Sequence, residues 1–173
     1  MEALPFPVVR QRSGNDCMVA SFATVTGRTY EESAKLLDIA LDPVTRAVDP
    51  QMEGLAFYKM GPASLRIGLS ATQVFCPTPH LAATQDKVLN GVSGEELRAM
   101  IKGRDAVLCV AGIKGGRFVG HHAVAWKDGR LVDCGDCIPP GTSLEDSGAY
   151  MAVIIAPLPP AASKLVEGVH DGR

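Results

Sequence analysis

No stretch of this chain approaches the ~18 continuous apolar residues of a membrane-spanning helix, so no span is expected. An excess of basic charge is missing too. The 173 residues carry 17 Lys and Arg against 19 Asp and Glu, a formal net charge of −2. That balance gives no electrostatic footprint for nucleic acid or an anionic membrane surface. The opening Met1-Glu2-Ala3-Leu4-Pro5 has an early acid, a proline and no basic n-region, so it does not read as a secretory signal. A cytoplasmic location is expected. Cysteines number five: Cys17, Cys76, Cys109, Cys134 and Cys137. An odd count in an unsecreted chain argues for thiols rather than a disulfide framework.

Nucleotide and cation loops are equally missing. Gly112-Ile113-Lys114-Gly115-Gly116 is glycine-rich but lacks P-loop spacing and its Lys-Ser/Thr ending. Asp42, Asp49 and Glu53 do not have the spacing of a calcium loop. Cys134-Gly135-Asp136-Cys137 is a CxxC, but no second CxxC or HxxxH supplies the remaining ligands of a structural zinc site. It also follows a hairpin strand, where redox motifs open a helix. No metal and no cofactor is expected, and a reversible Cys134–Cys137 disulfide is the alternative role for this motif.

What is present reads as one ordinary globular domain, 46% hydrophobic and 21% charged. Residues 1–158 are assigned to that domain, and 159–173, beginning at Pro159-Pro160, to a loosely held tail. The apolar run from Cys17 to Val25 predicts a buried helix that Gly27 stops. Thr29 with Glu32, and Ser93 with Glu96, have capping-box spacing and should each start a helix. Residues 41–54 read as a loop. Across 55–69 the pattern is ambiguous, with Gly61-Pro62 expected to break or kink any helix. Strands are expected at Thr72–Cys76, Ala106–Ala111, His121–Trp126, Arg130–Asp133 and Tyr150–Ala156, with Gly112–Gly120 as a hairpin loop and Asp128-Gly129 as a tight turn. Helices first and antiparallel strands later imply an α+β fold, a helical lobe beside a small sheet.

Four residues carry candidate chemistry. Thiol catalysis needs a thiolate, which a helix N-terminus and a neighbouring imidazolium both favour. Cys17 stands at such an N-terminus, behind the potential caps Asn15 and Asp16. His122 is the candidate base, and Asp133 the group that would orient it. The Gln11 amide and the Cys17 backbone N–H are candidate donors for an oxyanion. Adjacent strand residues face opposite ways, so only one of His121 and His122 can address Cys17. His122 is favoured, sharing a face with Val124 and Trp126, and His121 is left to solvent or a local hydrogen bond.

The segment Gln11-Arg12-Ser13-Gly14-Asn15-Asp16-Cys17, its following helix to Thr26-Gly27, and Tyr30-Glu31-Glu32 resemble the start of papain-like cysteine peptidases of the C39-like group. That group includes domains that cut double-glycine leader peptides and small stand-alone bacterial and phage proteins. Its Gln precedes the nucleophilic Cys by six residues, as Gln11 precedes Cys17. Its later His opens a hydrophobic strand and its Asp lies on the next, matching His122-Ala123-Val124-Ala125-Trp126 and Leu131-Val132-Asp133. A proline usually follows that Asp, where this chain has Cys134. The likeness covers both ends of the core and little of 40–92. It implies a papain-like fold with catalytic Cys17, His122, Asp133 and Gln11, and hydrolysis of a peptide or isopeptide bond through an acyl-thioester on Cys17. A protein or peptide substrate is implied, with no cofactor, nucleic acid or membrane partner. Deamidation or acyl transfer by the same residues, and a non-catalytic binding or inhibitory protein on the same scaffold, are the alternatives.

Overall fold

The computed structural model describes residues 4–49, 57–76, 91–114 and 117–159, without the side chains of 112–119. Helix α1, Cys17–Thr26, is followed by α2, Tyr30–Leu36. A 3-10 turn at Phe57–Lys59 leads into α3, Met60–Leu65, and strand β1, Leu69–Phe75. Helix α4, Gly94–Ile101, then precedes β2, Asp105–Lys114, β3, Arg117–Lys127, β4, Arg130–Val132, and β5, Ala149–Pro157. The strands form one five-stranded sheet in the order β1-β5-β2-β3-β4, antiparallel throughout. The fold is α+β, with the N-terminal helices packed on this sheet.

Local chemistry sets the element ends. Gly27 closes α1 in the left-handed region at φ 68, donating to the Ala23 carbonyl. Both capping boxes form, Thr29 with Glu32 on α2 and Ser93 with Glu96 on α4. Asp128 and Gly129 both take positive φ, as the tight β3–β4 turn requires.

Two expectations need correction. Gly61-Pro62 does not break a helix but sits in the first turn of α3, where a proline forfeits no intrahelical hydrogen bond. Gly112–Gly120 is mostly strand: Gly112 pairs with Gly120, Ile113 with Phe118 and Lys114 with Arg117, across a register shift after Gly112. An irregular ladder with Gly120 at φ 141 is what glycine permits and side chains resist. The tail assigned to 159–173 lies, beyond Pro159, outside the described residues.

The sheet has an apolar layer on each face. Val107, Ala123, Ala125, Val153 and Ile155 pack with α1, α2 and α3 residues including Phe22, Tyr30 and Met60. Ala106, Leu108, Val110, Val124, Ala152 and Ile154 pack on the other face with Leu97 and Ile101 of α4. Coverage on both faces is why β2 and β5 read as nearly continuous apolar runs rather than alternating ones. Helix α1 is buried from Met18 through Val25. Fully buried side chains such as Met18 and Phe22 each contribute about 1.5–3 kcal/mol to holding it against β3. That packing fixes where its N-terminus points. Among the described residues no helix is long and apolar enough to cross a membrane.

Candidate active site

The N-terminal segment ties the two halves of the site together. Val9 donates its N–H to Thr24 Oγ1 of α1 at 2.9 Å, and Gln11 donates its N–H to the Cys134 carbonyl at 3.0 Å. Ser21 of α1 donates to the Ala123 carbonyl of β3 at 3.0 Å. Helix α1, the N-terminal segment, β3 and the loop after β4 are thereby tied to one another.

The turn before Cys17 is organised by Asp16, a fully buried carboxylate. Its Oδ2 accepts from the N–H groups of Arg12 at 2.7 Å and Ser13 at 3.0 Å, and from the Tyr30 hydroxyl at 2.6 Å. Its Oδ1 accepts from Gln11 Nε2 at 3.1 Å. Asp16 occupies the N-cap position of α1, but its side chain makes no cap hydrogen bond. The cap role expected for it is replaced by bracing the loop. Burial, followed by the bond and charge of Asp16, pushes the Tyr30 phenol well above its ordinary range, so it stays a donor. The sequence signal for this role was a polar residue next to Cys17 with a tyrosine fourteen residues on, which is too generic to read alone.

Cys17 begins α1 and is half-buried, at the end of the helix where the first N–H groups lack intrahelical partners. It lines one cavity with His122 of β3, and its side chain helps to raise the His122 pKa. The His122 Nε2 lies 2.7 Å from Asp133 Oδ1. A carboxylate only accepts, so Nε2 carries the proton and Nδ1 remains for the thiol. Burial lowers the His122 pKa, but the hydrogen bonds and charges of Asp133 and Cys17 outweigh it and raise it to about 10. Burial of Asp133 opposes its charge, yet the bonds from His122 and from backbone N–H groups hold its carboxyl below the usual range. Those backbone donors are Gly135 on Oδ1 at 2.8 Å, with Cys137 at 2.5 Å and Ile138 at 2.6 Å on Oδ2.

The CxxC therefore has a concrete local role: its backbone wraps the Asp133 carboxylate. Its two thiols are separate and free. Cys134 is buried with Sγ 3.4 Å from Thr24 Oγ1, and burial pushes that thiol up. Cys137 is exposed.

The structure brings Cys17, His122 and Asp133 together: Cys17 and His122 line one cavity, and His122 bonds Asp133. Gln11 lies beside them, where a Cβ on Gly135 would collide with its Oε1 and approach His122 Cε1 to 3.3 Å. Its amide N–H groups are engaged by Asp16 Oδ1 and, at 3.3 Å, by the Ser13 carbonyl. In this conformation Gln11 braces the turn, and donation to an oxyanion would need the amide to rotate.

A cavity of about 240 Å³ opens at Cys17, lined also by Asn15, Phe57, Cys109, His121 and Tyr150. His121 is exposed and makes a local hydrogen bond through Nδ1 to the Tyr150 hydroxyl, which also meets Cys109 Sγ at 2.6 Å. Burial pushes the Cys109 thiol up to about 12, so it is no competing nucleophile. Cys109 and Tyr150 sit in apolar strand runs, and nothing in the sequence linked them to Cys17. A thiol at a helix N-terminus, in one cavity with an imidazole that a carboxylate orients, is the arrangement that proton transfer from sulfur requires. The chain matches no protein-family model, and no curated protein matches its sequence.

Proposed function

We propose that this protein is a papain-like cysteine hydrolase that cleaves a peptide or isopeptide bond through an acyl-thioester on Cys17. One observation carries the reading: His122 lines the same cavity as Cys17 and holds Asp133 at 2.7 Å through its Nε2. In the reaction the Cys17 sulfur, its proton already held on the His122 imidazolium, attacks the carbonyl carbon, and His122 then gives that proton to the leaving amine. Water, deprotonated by the same imidazole, releases the acyl group. Asp133 keeps the imidazole in the required tautomer. The Cys17 backbone N–H, and Gln11 once rotated, are the oxyanion donors. The cavity beside Cys17 receives part of a protein or peptide substrate.

Brief treatment with iodoacetamide at pH 5–6, followed by peptide mapping, tests the nucleophile. Cys17 should be alkylated ahead of the exposed Cys137, and His122→Ala should remove that preference while His121→Ala keeps it. Uniform, slow labelling of Cys17 and Cys137 would remove the basis for the hydrolase reading.

A further inference from the structure

The exposed cysteine of the CxxC stands beside the candidate base. Cys137 Sγ, a carboxylate oxygen of Asp133 and a ring nitrogen of His122 all lie within 4.8 Å of one another. We propose that these three side chains form an inhibitory site for a thiophilic divalent cation of the zinc class, resting on the hydrolase reading for its consequence but not for the binding itself.

The donor set is one sulfur, one imidazole nitrogen and one carboxylate oxygen, a combination suited to tetrahedral zinc with its fourth position open to water. Zinc bonds of about 2.0–2.3 Å place tetrahedral ligand atoms about 3.2–3.7 Å apart. Closing from 4.8 Å therefore asks for shifts of about 1 Å, and the 2.7 Å Nε2–Oδ1 bond must open by a smaller amount. Little resists this. The Cys137 thiol is held only by a weak 3.6 Å contact to the Gly135 carbonyl. Asp133 keeps the Gly135, Cys137 and Ile138 N–H groups as a preformed outer shell. Cys134 is excluded from the set by its burial against Thr24. The motif thus contributes its second cysteine alone, and the other two ligands come from residues that no CxxC search would pair with it.

Binding is balanced without redox change. The thiol of Cys137 and the Nε2 of an imidazolium each release a proton to solvent, and the ion sheds water. The metal then holds the Nε2 lone pair, and Nδ1 keeps its proton. With Nε2 on the metal and Nδ1 protonated, His122 has no free nitrogen to take the proton of the water that releases the acyl group, so the proposed chemistry stops while the ion is bound.

Cadmium titration of the full chain, followed by thiolate-to-metal charge-transfer absorbance and equilibrium dialysis, tests the site. One ion per chain is expected, with a charge-transfer band. Cys137→Ser should abolish the band and weaken binding by about tenfold or more, since even outer-shell partners are worth about 10–100-fold. Cys17→Ser should keep both band and stoichiometry. Zinc should slow turnover of the wild type and, relative to its own metal-free rate, act on Cys137→Ser at concentrations at least tenfold higher. A band that survives Cys137→Ser and disappears in Cys17→Ser would overturn the proposal, as would no bound ion. A band present in a protein without turnover would sink the hydrolase reading and leave the metal site standing.

Discussion

His122 and Asp133, eleven residues apart in the chain, meet through Nε2 and Oδ1 at 2.7 Å with side chains only 10% and 6% exposed. Their contact has a pH signature. Asp133 is held below its ordinary 3.8, so its stabilisation is present above that value and is lost as pH falls through the lowered pKa. His122 is raised from 6.5 to about 10, so its stabilisation is complete below 6.5 and disappears as pH rises toward 10. The pair should stabilise the fold most between about pH 4 and 6.5. Urea unfolding of the wild type and His122→Ala, in the presence of a chelator, checks this. The difference in unfolding free energy should shrink steadily from pH 6.5 to 10. A difference that is flat or growing over that range would mean that the imidazolium is not what the pair stabilises.

Asp16 presents a second case of a carboxylate whose value lies in what it accepts. Removing it leaves the Arg12 and Ser13 N–H groups, the Gln11 amide and the Tyr30 hydroxyl without their acceptor. Each buried donor left unmade costs about 1–3 kcal/mol. Asp16→Ala should therefore lose about 3 kcal/mol or more, which for a chain of this length lowers Tm by about 6–12 °C. Asp16→Asn keeps the shape but turns an N–H group toward donors, so it should rescue little. Tyr30→Phe should lose less than Asp16→Ala, and the double variant little more than Asp16→Ala alone. Strict additivity of the two would show that Asp16 does not hold Tyr30.

The parts of the fold legible in the sequence were those with local causes. Gly27, the Thr29 and Ser93 capping boxes and the Asp128-Gly129 turn each act over a few residues, and each stands where its chemistry requires. The grouping of Cys17, His122 and Asp133 is legible from thiol chemistry and from the resemblance, but not from any local pattern, because long-range pairing across β3 and β4 leaves no local mark. A glycine run and an aspartate mislead in different ways. The run from Gly112 to Gly120 looked like a loop and is largely paired strand, since glycine tolerates a shifted register as readily as a turn. Asp16, like Asn15, is a potential cap because it precedes a helix, but its partners lie upstream and on α2, where only the folded chain places them.

Gly135 and Gln11 give the sharpest test of how the turn before Cys17 meets the loop after Asp133. A Cβ on Gly135 would collide with Gln11 Oε1 and stand 2.7 Å from its Cδ. Gly135 is not among the residues with positive φ, so alanine suits its backbone and only the side chain offends. The obstacle is the far end of a flexible side chain. Gln11 can swing away, giving up its 3.1 Å bond to Asp16, and the fold should survive. If Gln11 serves the oxyanion, Gln11→Ala should lower kcat by about 10²-fold with KM little changed. Gly135→Ala should mimic it by displacing the same amide. The double variant should then be no slower than Gln11→Ala, because the alanine at 135 has nothing left to displace. Multiplying losses would mean that Gly135 acts independently, through its N–H bond to Asp133 or its closeness to His122. An unimpaired Gly135→Ala beside a slow Gln11→Ala would mean that the amide works from a position already clear of Gly135.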